Sequence, residues 1–139
     1  MLPDKVKRFI KQNHYGVVST FRKDGAVQMS LVSCGPFKEG VAFTTTAGRA
    51  KLANLKRNPK CSILVSQQDW WGYVVLEGQA KIMDRDNTDH EELRLALRDV
   101  YRAASGQEHP DWNDYDKAMT KDKRAVVIVE PQRIYGTKA

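Results

Sequence analysis

Four basic residues stand within a stretch of sixteen residues that contains no acid. The stretch is TTTAGRAKLANLKRNP, residues 44–59, and its cations are Arg49, Lys51, Lys56 and Arg57. Suppose that a strand ends in the threonines and that a helix starts near Arg49 after a turn at Gly48. Free main-chain N–H groups, hydroxyls and two cations then surround one point, and proteins hold phosphate groups in this way. Arg49 can bind two phosphate oxygens at once, and Lys51 adds a compact charge. The pattern thus predicts a phosphate site, but a basic helix face in solvent explains the same residues, because no GxGxxG or P-loop spacing is present.

The last two cations of the stretch, Lys56 and Arg57, lie a helical turn or more beyond Lys51. An anion held at the start of the helix is out of their reach, so we assign both side chains to solvent. The predicted phosphate cradle therefore runs from Thr45 to Lys51, and Leu52 and Leu55 anchor its helix inward.

No arrangement for hydrolytic or nucleophilic catalysis emerges from the remaining residues. His14, His90 and His109 lack metal-ligand spacing, so we expect no metal site. Cys34 and Cys61 form no CxxC motif and have no nearby histidine, which predicts buried free thiols. An enzyme with this sequence would need a cofactor to do the chemistry, and no catalytic acid or base can be named.

Two adjacent tryptophans, Trp70 and Trp71, follow the polar segment SQQD. Large aromatic side chains are unfavourable to expose. Packing in the core or in a dimer interface explains the pair, and a wall against a planar ring is the functional alternative. The sequence leaves both interpretations open.

The composition indicates one folded domain. A chain of 139 residues can bury a real core but is too short for two domains, and 41% hydrophobic and 29% charged residues are typical of a globular chain. No apolar run approaches the ~20 residues of a membrane span, and no signal-peptide core follows Met1, so we expect a cytoplasmic protein without a membrane partner. The net charge of +6 indicates an anionic partner, but no strand interleaves aromatic and basic residues, so we expect no nucleic acid partner.

Hydrophobic periodicity predicts small helices among short strands. Helices are predicted over residues 2–13, about 49–57, from a capping box of Thr88 and Glu91 onward, and about 111–121. Strands are predicted over residues 16–22, 26–34, 40–46, 60–67, 71–83 and, as one or two strands, 124–136. The Asp24-Gly25 pair predicts a hairpin between the first two strands. In residues 71–83, alternation predicts one core face and one face that is wet or meets a partner.

These elements predict an α+β fold in a single domain over residues 1–139. Six or seven short antiparallel strands, mostly consecutive, favour a closed or nearly closed barrel, which also removes exposed sheet edges. The small helices flank this barrel.

Nearly the whole chain resembles the flavin/deazaflavin split β-barrel superfamily of pyridoxamine-phosphate-oxidase-like proteins, and most closely its branch of F420-dependent oxidoreductases. The segments that carry the likeness are GVVSTFRKDGAVQMSLV, RAKLANLKRNPKCSILV, WGYVVLEGQAKI, VYRAASGQEHPDWNDYDKAM and KRAVVIVEPQRIYG. The resemblance implies an FMN-binding split β-barrel, that is, a six- to seven-stranded antiparallel Greek-key barrel with small flanking helices. It also implies a homodimer with cofactor sites at the subunit interface.

The resemblance also implies which residues contact the cofactor. Its phosphate would be held by Arg49 and Lys51, assisted by Thr45, Thr46 and the main chain of Ala50. The strand QMSLV would lie along the tricyclic ring, with contacts from Gln28, Ser30, Leu31 and Val32. Trp71 matches an aromatic residue near the cofactor cleft that the second subunit supplies, and Tyr73 is a second candidate for this role.

One departure bears on the choice of cofactor. Flavin-binding oxidases of the vitamin pathway typically carry an adjacent Arg-Lys, whereas this chain has Arg49-Ala50-Lys51, which resembles the deazaflavin branch. That cofactor, F420, bears a phosphodiester and an oligoglutamate tail, which the basic first helix could attract, although a solvated face explains its lysines equally well. The implied function is an F420H2-dependent reductase that transfers a hydride to a conjugated, electron-poor organic substrate. An FMN-binding protein of the same fold and a non-enzymatic carrier of F420 remain alternatives.

Overall fold

The structure, a computed structural model, describes residues 2–139. This part of the chain forms seven β-strands and four α-helices. The strands are β1 Tyr15–Phe21, β2 Val27–Ser33, β3 Gly35–Phe37, β4 Gly40–Thr46, β5 Lys60–Ser66, β6 Tyr73–Met83 and β7 Arg124–Tyr135. The helices are α1 Asp4–Gln12, α2 Ala50–Arg57, α3 His90–Ser105 and α4 Trp112–Lys121. Each predicted element is present, and β3 is a strand that the periodicity did not predict, because three residues are too few to show alternation.

The seven strands form one antiparallel sheet in the order β2-β1-β5-β6-β7-β4-β3. Laid flat, such a sheet would separate its two edge strands by roughly 29 Å, yet β2 and β3 are joined by Cys34 alone. Two Cα steps reach only about 8 Å, so the sheet curls until its edges meet at that point. Within residues 2–139 the two edges do not pair with each other. The predicted α+β split barrel is therefore confirmed, with seven strands.

The predicted hairpin between β1 and β2 is also confirmed. Gly25 has a φ of 85°, a conformation that favours glycine. The N–H of Arg22 donates to the carbonyl of Ala26 at 2.8 Å, and the N–H of Ala26 donates to the carboxylate of Asp24 at 2.9 Å. The turn fixes the register of β2, an edge strand, against β1.

The main core fills the inner side of the curled sheet. Its members are alternate residues of the strands, and the largest of them are Val18, Val41, Phe43, Ile63, Val65, Val74, Leu76, Val127 and Val129. Helix α2 adds Leu52 and Leu55, which confirms its predicted inward stripe. Cys34 and Cys61 are buried free thiols, as predicted, and burial raises the pKa of each to about 12.

A second apolar cluster joins α3 and α4 to the outer side of the sheet. Leu93, Leu97 and Val100 of α3 pack with Tyr115 of α4 against Val126. The Tyr115 hydroxyl donates to the carbonyl of Leu97 at 2.9 Å. Val75 and Met83 of β6 are buried on the face that was predicted to be wet or to meet a partner. Helix α3 packs over the end of this strand that carries Met83.

Helix α3 does not begin with the predicted capping box. The carboxylate of Asp89 accepts hydrogen bonds from the N–H groups of Glu91 at 3.2 Å and Glu92 at 3.4 Å, while the Thr88 hydroxyl donates to Asn87 at 2.6 Å. A charged carboxylate at this position complements the helix dipole better than a hydroxyl does. None of the helices in residues 2–139 has the length and apolarity that a membrane crossing requires.

Candidate functional site

The end of β4 and the first turn of α2 form a cradle of unpaired donors. After Thr46 the chain turns at Gly48, whose φ is 91°, and it enters α2 through Arg49. The backbone of Arg49 is extended, and its side chain caps no helix N–H. Within residues 2–139, the main-chain N–H groups of Ala50 and Lys51 make no hydrogen bond. They are the donors that a helix start offers to an anion.

The charges at this turn are positive and uncompensated. No carboxylate of residues 2–139 forms an ion pair with Arg49 or Lys51. The pKa of Lys51 is lowered, first by burial and then by the positive charges of Arg49 and Arg124. A bound anion would relieve the repulsion among these three cations.

Arg124, the first residue of β7, is a candidate ligand that the sequence analysis missed. It lies opposite Thr46 in the β4–β7 pairing, and its guanidinium donates to the Thr44 hydroxyl at 3.2 Å. Its Nε is buried and has no hydrogen-bond partner among residues 2–139, and the Asp122 carboxylate is 4.0 Å from that atom. The basic residue was visible in the sequence, but its register against β4 was not.

Thr45 provides an independent sign of a ligand. The residue is only 2% exposed, and its Oγ1 has no hydrogen-bond partner in residues 2–139. A buried hydroxyl without a partner is unfavourable. Together with the two free amides and the cations Arg49 and Lys51, this hydroxyl gives a donor set that fits a phosphate group. Arg124 contacts Thr44 on the opposite, outer face of the sheet.

Lys56 and Arg57, which were assigned to solvent, in fact form structural contacts. Lys56 Nζ lies 2.9 Å from the carboxylate of Asp84. Arg57 donates to the carbonyl of Phe21 at 3.0 Å and to Asn54 Oδ1 at 2.8 Å. That they lie apart from the phosphate cradle stays a prediction, but they are not free, and two of their partners, Asp84 and Phe21, come from elements distant in the sequence.

Strand β2 presents three of its four predicted ring-contacting side chains on one face. Gln28, Ser30 and Val32 are half-buried on the inner side, whereas Leu31 points outward and is 82% exposed. The Leu31 side chain therefore does not share a face with the others, as strand alternation requires, and a contact of Leu31 with the ring through its main chain stays a prediction. Asn54 of α2 donates to Gln28 Oε1 at 2.8 Å, so a buried amide ties β2 to the helix that carries the cradle.

Trp71 and Tyr73 lie at the opposite end of β6 from the cradle. Met83 at the other end of this strand pairs with Val126, two residues from Arg124, and a strand of this length extends roughly 30 Å. Trp70 and Trp71 are 71% and 84% exposed, so the interpretation that they pack in the core is wrong. Tyr73 and Trp71 do not reach the cradle of their own chain.

The outer face of β2 is apolar and exposed. Val27, Met29 and Leu31 form an exposed row along this edge strand. In the register of the sheet, Leu31 lies opposite Val17 of β1, which lies opposite Leu64 of β5. A hydrophobic edge strand of this kind is a surface that another chain can cover.

Comparison with known proteins places these features in a family. The family model described as pyridoxamine 5'-phosphate oxidase matches residues 2–138. The conserved hypothetical protein Rv2991 from Mycobacterium tuberculosis is 22% identical in a match that covers 98% of this chain and 84% of that chain, with a TM-score of 0.79. An F420 reductase is 23% identical over 96% of this chain and 98% of that chain, with a TM-score of 0.65. General stress protein 26 from Bacillus anthracis is 18% identical over 95% of this chain and 92% of that chain, with a TM-score of 0.64. At these identities the similar structures show the fold.

Proposed function

This chain belongs to the pyridoxamine 5'-phosphate oxidase family, and from that premise we propose that it is an F420H2-dependent oxidoreductase. The superfamily binds flavins or deazaflavins, and both carry a phosphate. The observation that supports the proposal is the phosphate cradle at the start of α2, with its free amides, its unpaired cations and the buried Thr45 hydroxyl. We treat residues 1–139 as one cofactor-binding domain, since both apolar clusters include residues of β4 and β7.

In this proposal the cofactor phosphate lies in the cradle. Arg49, Lys51 and Arg124 supply charge, and the Ala50 N–H and the threonine hydroxyls of Thr45 and Thr46 donate hydrogen bonds. Along β2, the ring lies against the side chains of Gln28, Ser30 and Val32 and the main chain of Leu31. Charge-assisted hydrogen bonds of this kind are the strong ones, so the cradle fixes the cofactor while β2 orients its ring.

The protein's contribution to the reaction is positioning. When bound, the reduced deazaflavin supplies a hydride from C5 of its ring to the acceptor carbon of a conjugated, electron-poor organic substrate. The half-buried face of β2 excludes water from one side of the ring. Holding two reactants in a near-attack geometry can contribute ~7–11 kcal/mol of a barrier. The proton that completes the reduction arrives from solvent or a nearby hydroxyl.

F420 is preferred over FMN because of the Arg49-Ala50-Lys51 spacing. The spacing places Arg49 before the first helical residue and Lys51 beyond it, and it resembles the deazaflavin branch. The similarity to an F420 reductase supports the same choice. The chromophore that co-purifies with the protein, followed by separate titrations with FMN and F420, tests it. Tight FMN binding without affinity for F420 would overturn the choice of cofactor.

The enzymatic role is tested separately from cofactor binding. Oxidation of F420H2 is followed by absorbance in the presence of a panel of enones, quinones and tetrapyrroles. Substrate-dependent oxidation above the rate without protein is the expected result. Tight F420 binding with no such oxidation would favour a carrier or storage protein.

We also infer that the site is completed by a second copy of the chain. The exposed apolar row of Val27, Met29 and Leu31 on β2 would be buried by a second subunit. Trp71 and Tyr73 can reach a phosphate cradle only if that cradle belongs to another subunit. Leu31→Glu places a charge in this row and should give a monomer in sedimentation equilibrium, with cofactor binding weakened at least about tenfold. Leu95→Glu is the matched control, because Leu95 is also an exposed leucine but lies on α3. A wild-type monomer that binds cofactor tightly would contradict the inference.

A further inference from the structure

A cavity lies between α3, α4 and the chain that leads into β7. Its volume is about 770 Å³, which is within the range of small-molecule sites. Its apolar lining consists of Leu93, Leu97 and Met119, which belong to or pack against the outer apolar cluster. We call this cavity the α3–α4 cleft. Neither Arg49 nor Lys51 lines it, and Arg124 is the one residue of the phosphate cradle that does.

The polar lining of the α3–α4 cleft is strongly cationic. Six lysines and arginines face one carboxylate, and the cations are Arg85, Arg94, Lys117, Lys121, Lys123 and Arg124. The carboxylate, Asp116, is already engaged by Arg94 and Arg98, and the hydrogen bond from Arg98 is the main cause of its lowered pKa. Four of the cations, namely Arg85, Lys117, Lys121 and Lys123, have no carboxylate partner within residues 2–139.

Three of these cations are in positions that are unfavourable in the absence of a ligand. Lys117 and Lys121 are four residues apart on α4, a spacing at which like charges destabilise a helix. Lys123 has a φ of 51°, where glycine would be unstrained. The buried Arg124 Nε, which lines the same cleft, has no hydrogen-bond partner within the described chain. The cleft thus has an apolar wall beside unpaired cations and an unsatisfied buried donor. A ligand with both an apolar and an anionic part would match this lining.

We propose that the α3–α4 cleft binds an amphipathic organic anion. Its apolar body packs against Leu93, Leu97 and Met119, and its carboxylate or phosphate group lies among Lys121, Lys123 and Arg124. The cleft and the phosphate cradle share Arg124, and the other residues that line the cleft do not belong to the cradle.

Isothermal titration of the full chain with four probes tests the ligand class. Octyl phosphate and octanoate combine the required parts with different head groups and so distinguish a phosphate from a carboxylate ligand. Inorganic phosphate lacks the apolar body, and octylamine carries the opposite charge. We expect at least one octyl anion to bind, and to bind at least about tenfold more tightly than inorganic phosphate and octylamine. Equal binding of octylamine, or no binding of either octyl anion at millimolar concentration, would overturn the proposal.

Lys123→Gly tests the location without harming the fold. Glycine accepts the φ of 51° and keeps the carbonyl that receives the Ala47 N–H at 3.2 Å, so the unfolding temperature should stay equal or rise. The octyl anion should bind about fivefold to tenfold more weakly. Lys38→Gly is the matched control, because Lys38 has a φ of 52° in the turn before β4 and does not line the cleft. Equal effects of the two variants, or loss of binding in Arg49→Ala, would place the anion elsewhere and overturn the proposal.

Discussion

Replacing Thr45 by valine separates the stability of the fold from its capacity to hold a phosphate. Valine keeps the shape of the threonine side chain but removes the hydroxyl, which is buried and has no partner within residues 2–139. A buried hydroxyl without a hydrogen bond costs about 1–3 kcal/mol. The cofactor-free Thr45→Val protein should therefore be more stable by about 1 kcal/mol, which is roughly 3 °C in unfolding temperature for a chain of 139 residues.

Thr20→Val is the matched control. Thr20 is 1% exposed on the inner side of β1, but its Oγ1 accepts a hydrogen bond from Asn54 Nδ2 at 3.1 Å. Valine at this position removes the acceptor of a buried amide. The free energy of unfolding should fall by about 1–2 kcal/mol.

Two measurements check the Thr45 prediction. Urea unfolding of the cofactor-free variants gives the stability change, and equal slopes with denaturant show that the folded and unfolded states are comparable. Titration with F420 and FMN should show about tenfold weaker binding for Thr45→Val, because one hydrogen bond to a charged group is lost. If Thr45→Val destabilises the protein as much as Thr20→Val, the hydroxyl has a partner and the argument fails. Unchanged affinity for both cofactors would remove Thr45 from the cradle.

Further predictions concern single side chains. Arg49→Ala or Lys51→Ala should weaken cofactor binding by about 1–3 kcal/mol, since each removes a charge-assisted hydrogen bond, and Lys56→Ala should leave it unchanged in the same titration. Burial alone would raise the pKa of Asp84, but the hydrogen bonds from Lys56 and from two main-chain N–H groups lower this pKa below its ordinary value. The Asp84 carboxylate therefore stabilises the fold above the ordinary carboxyl pKa, and this stabilisation is lost as the pH falls through the lowered pKa. Asp84→Asn should remove this part of the pH dependence of the free energy of unfolding, measured with urea. The free energy that is lost should be less than about 1 kcal/mol, because Lys56 is half-exposed. Cys34, whose pKa burial raises to about 12, should react with a thiol reagent at neutral pH only as the protein unfolds.

Each of these predictions has a contrary outcome. Equal losses of cofactor affinity in the Arg49, Lys51 and Lys56 variants would show a general positive field instead of a site. If the free energy of unfolding of Asp84→Asn falls at acidic pH as it does in the wild type, the Lys56–Asp84 ion pair contributes nothing. Rapid labelling of Cys34 in the native protein would place this thiol where reagent can reach it.

Local patterns in the sequence were sufficient to predict the helices, most strands and the turn that starts the cradle. The Asp24-Gly25 hairpin and the Gly48 turn need particular backbone conformations, and few residue types adopt them. The outward side chain of Leu31 was also readable, because alternation in QMSLV separates it from its neighbours. The cytoplasmic location and the exclusion of nucleic acid and membrane partners stay predictions.

Contacts between distant segments could not be predicted from these patterns. Arg124 lies opposite Thr46 only because β7 pairs with β4 in one particular register, and a shift of one residue would move its side chain to the other face. The partner of Lys56 is Asp84 at the end of β6. The exposure of Trp70 and Trp71 depends on what lies beside β6 in space, which one sequence does not specify.

The side chains that were assigned to solvent hold the cradle's helix in position. Helix α2 has eight residues, too few for an isolated helix to be stable. Contacts that order it come from Leu52 in its first turn and from its later residues, which are Asn54, Leu55, Lys56 and Arg57. Its first turn has no capping side chain and no acid. Because the helix is ordered without a capping side chain at this end, the amides of Ala50 and Lys51 stay unpaired and already oriented. A phosphate that binds there does not have to order the backbone, and preorganisation of this kind lowers the free-energy cost of binding.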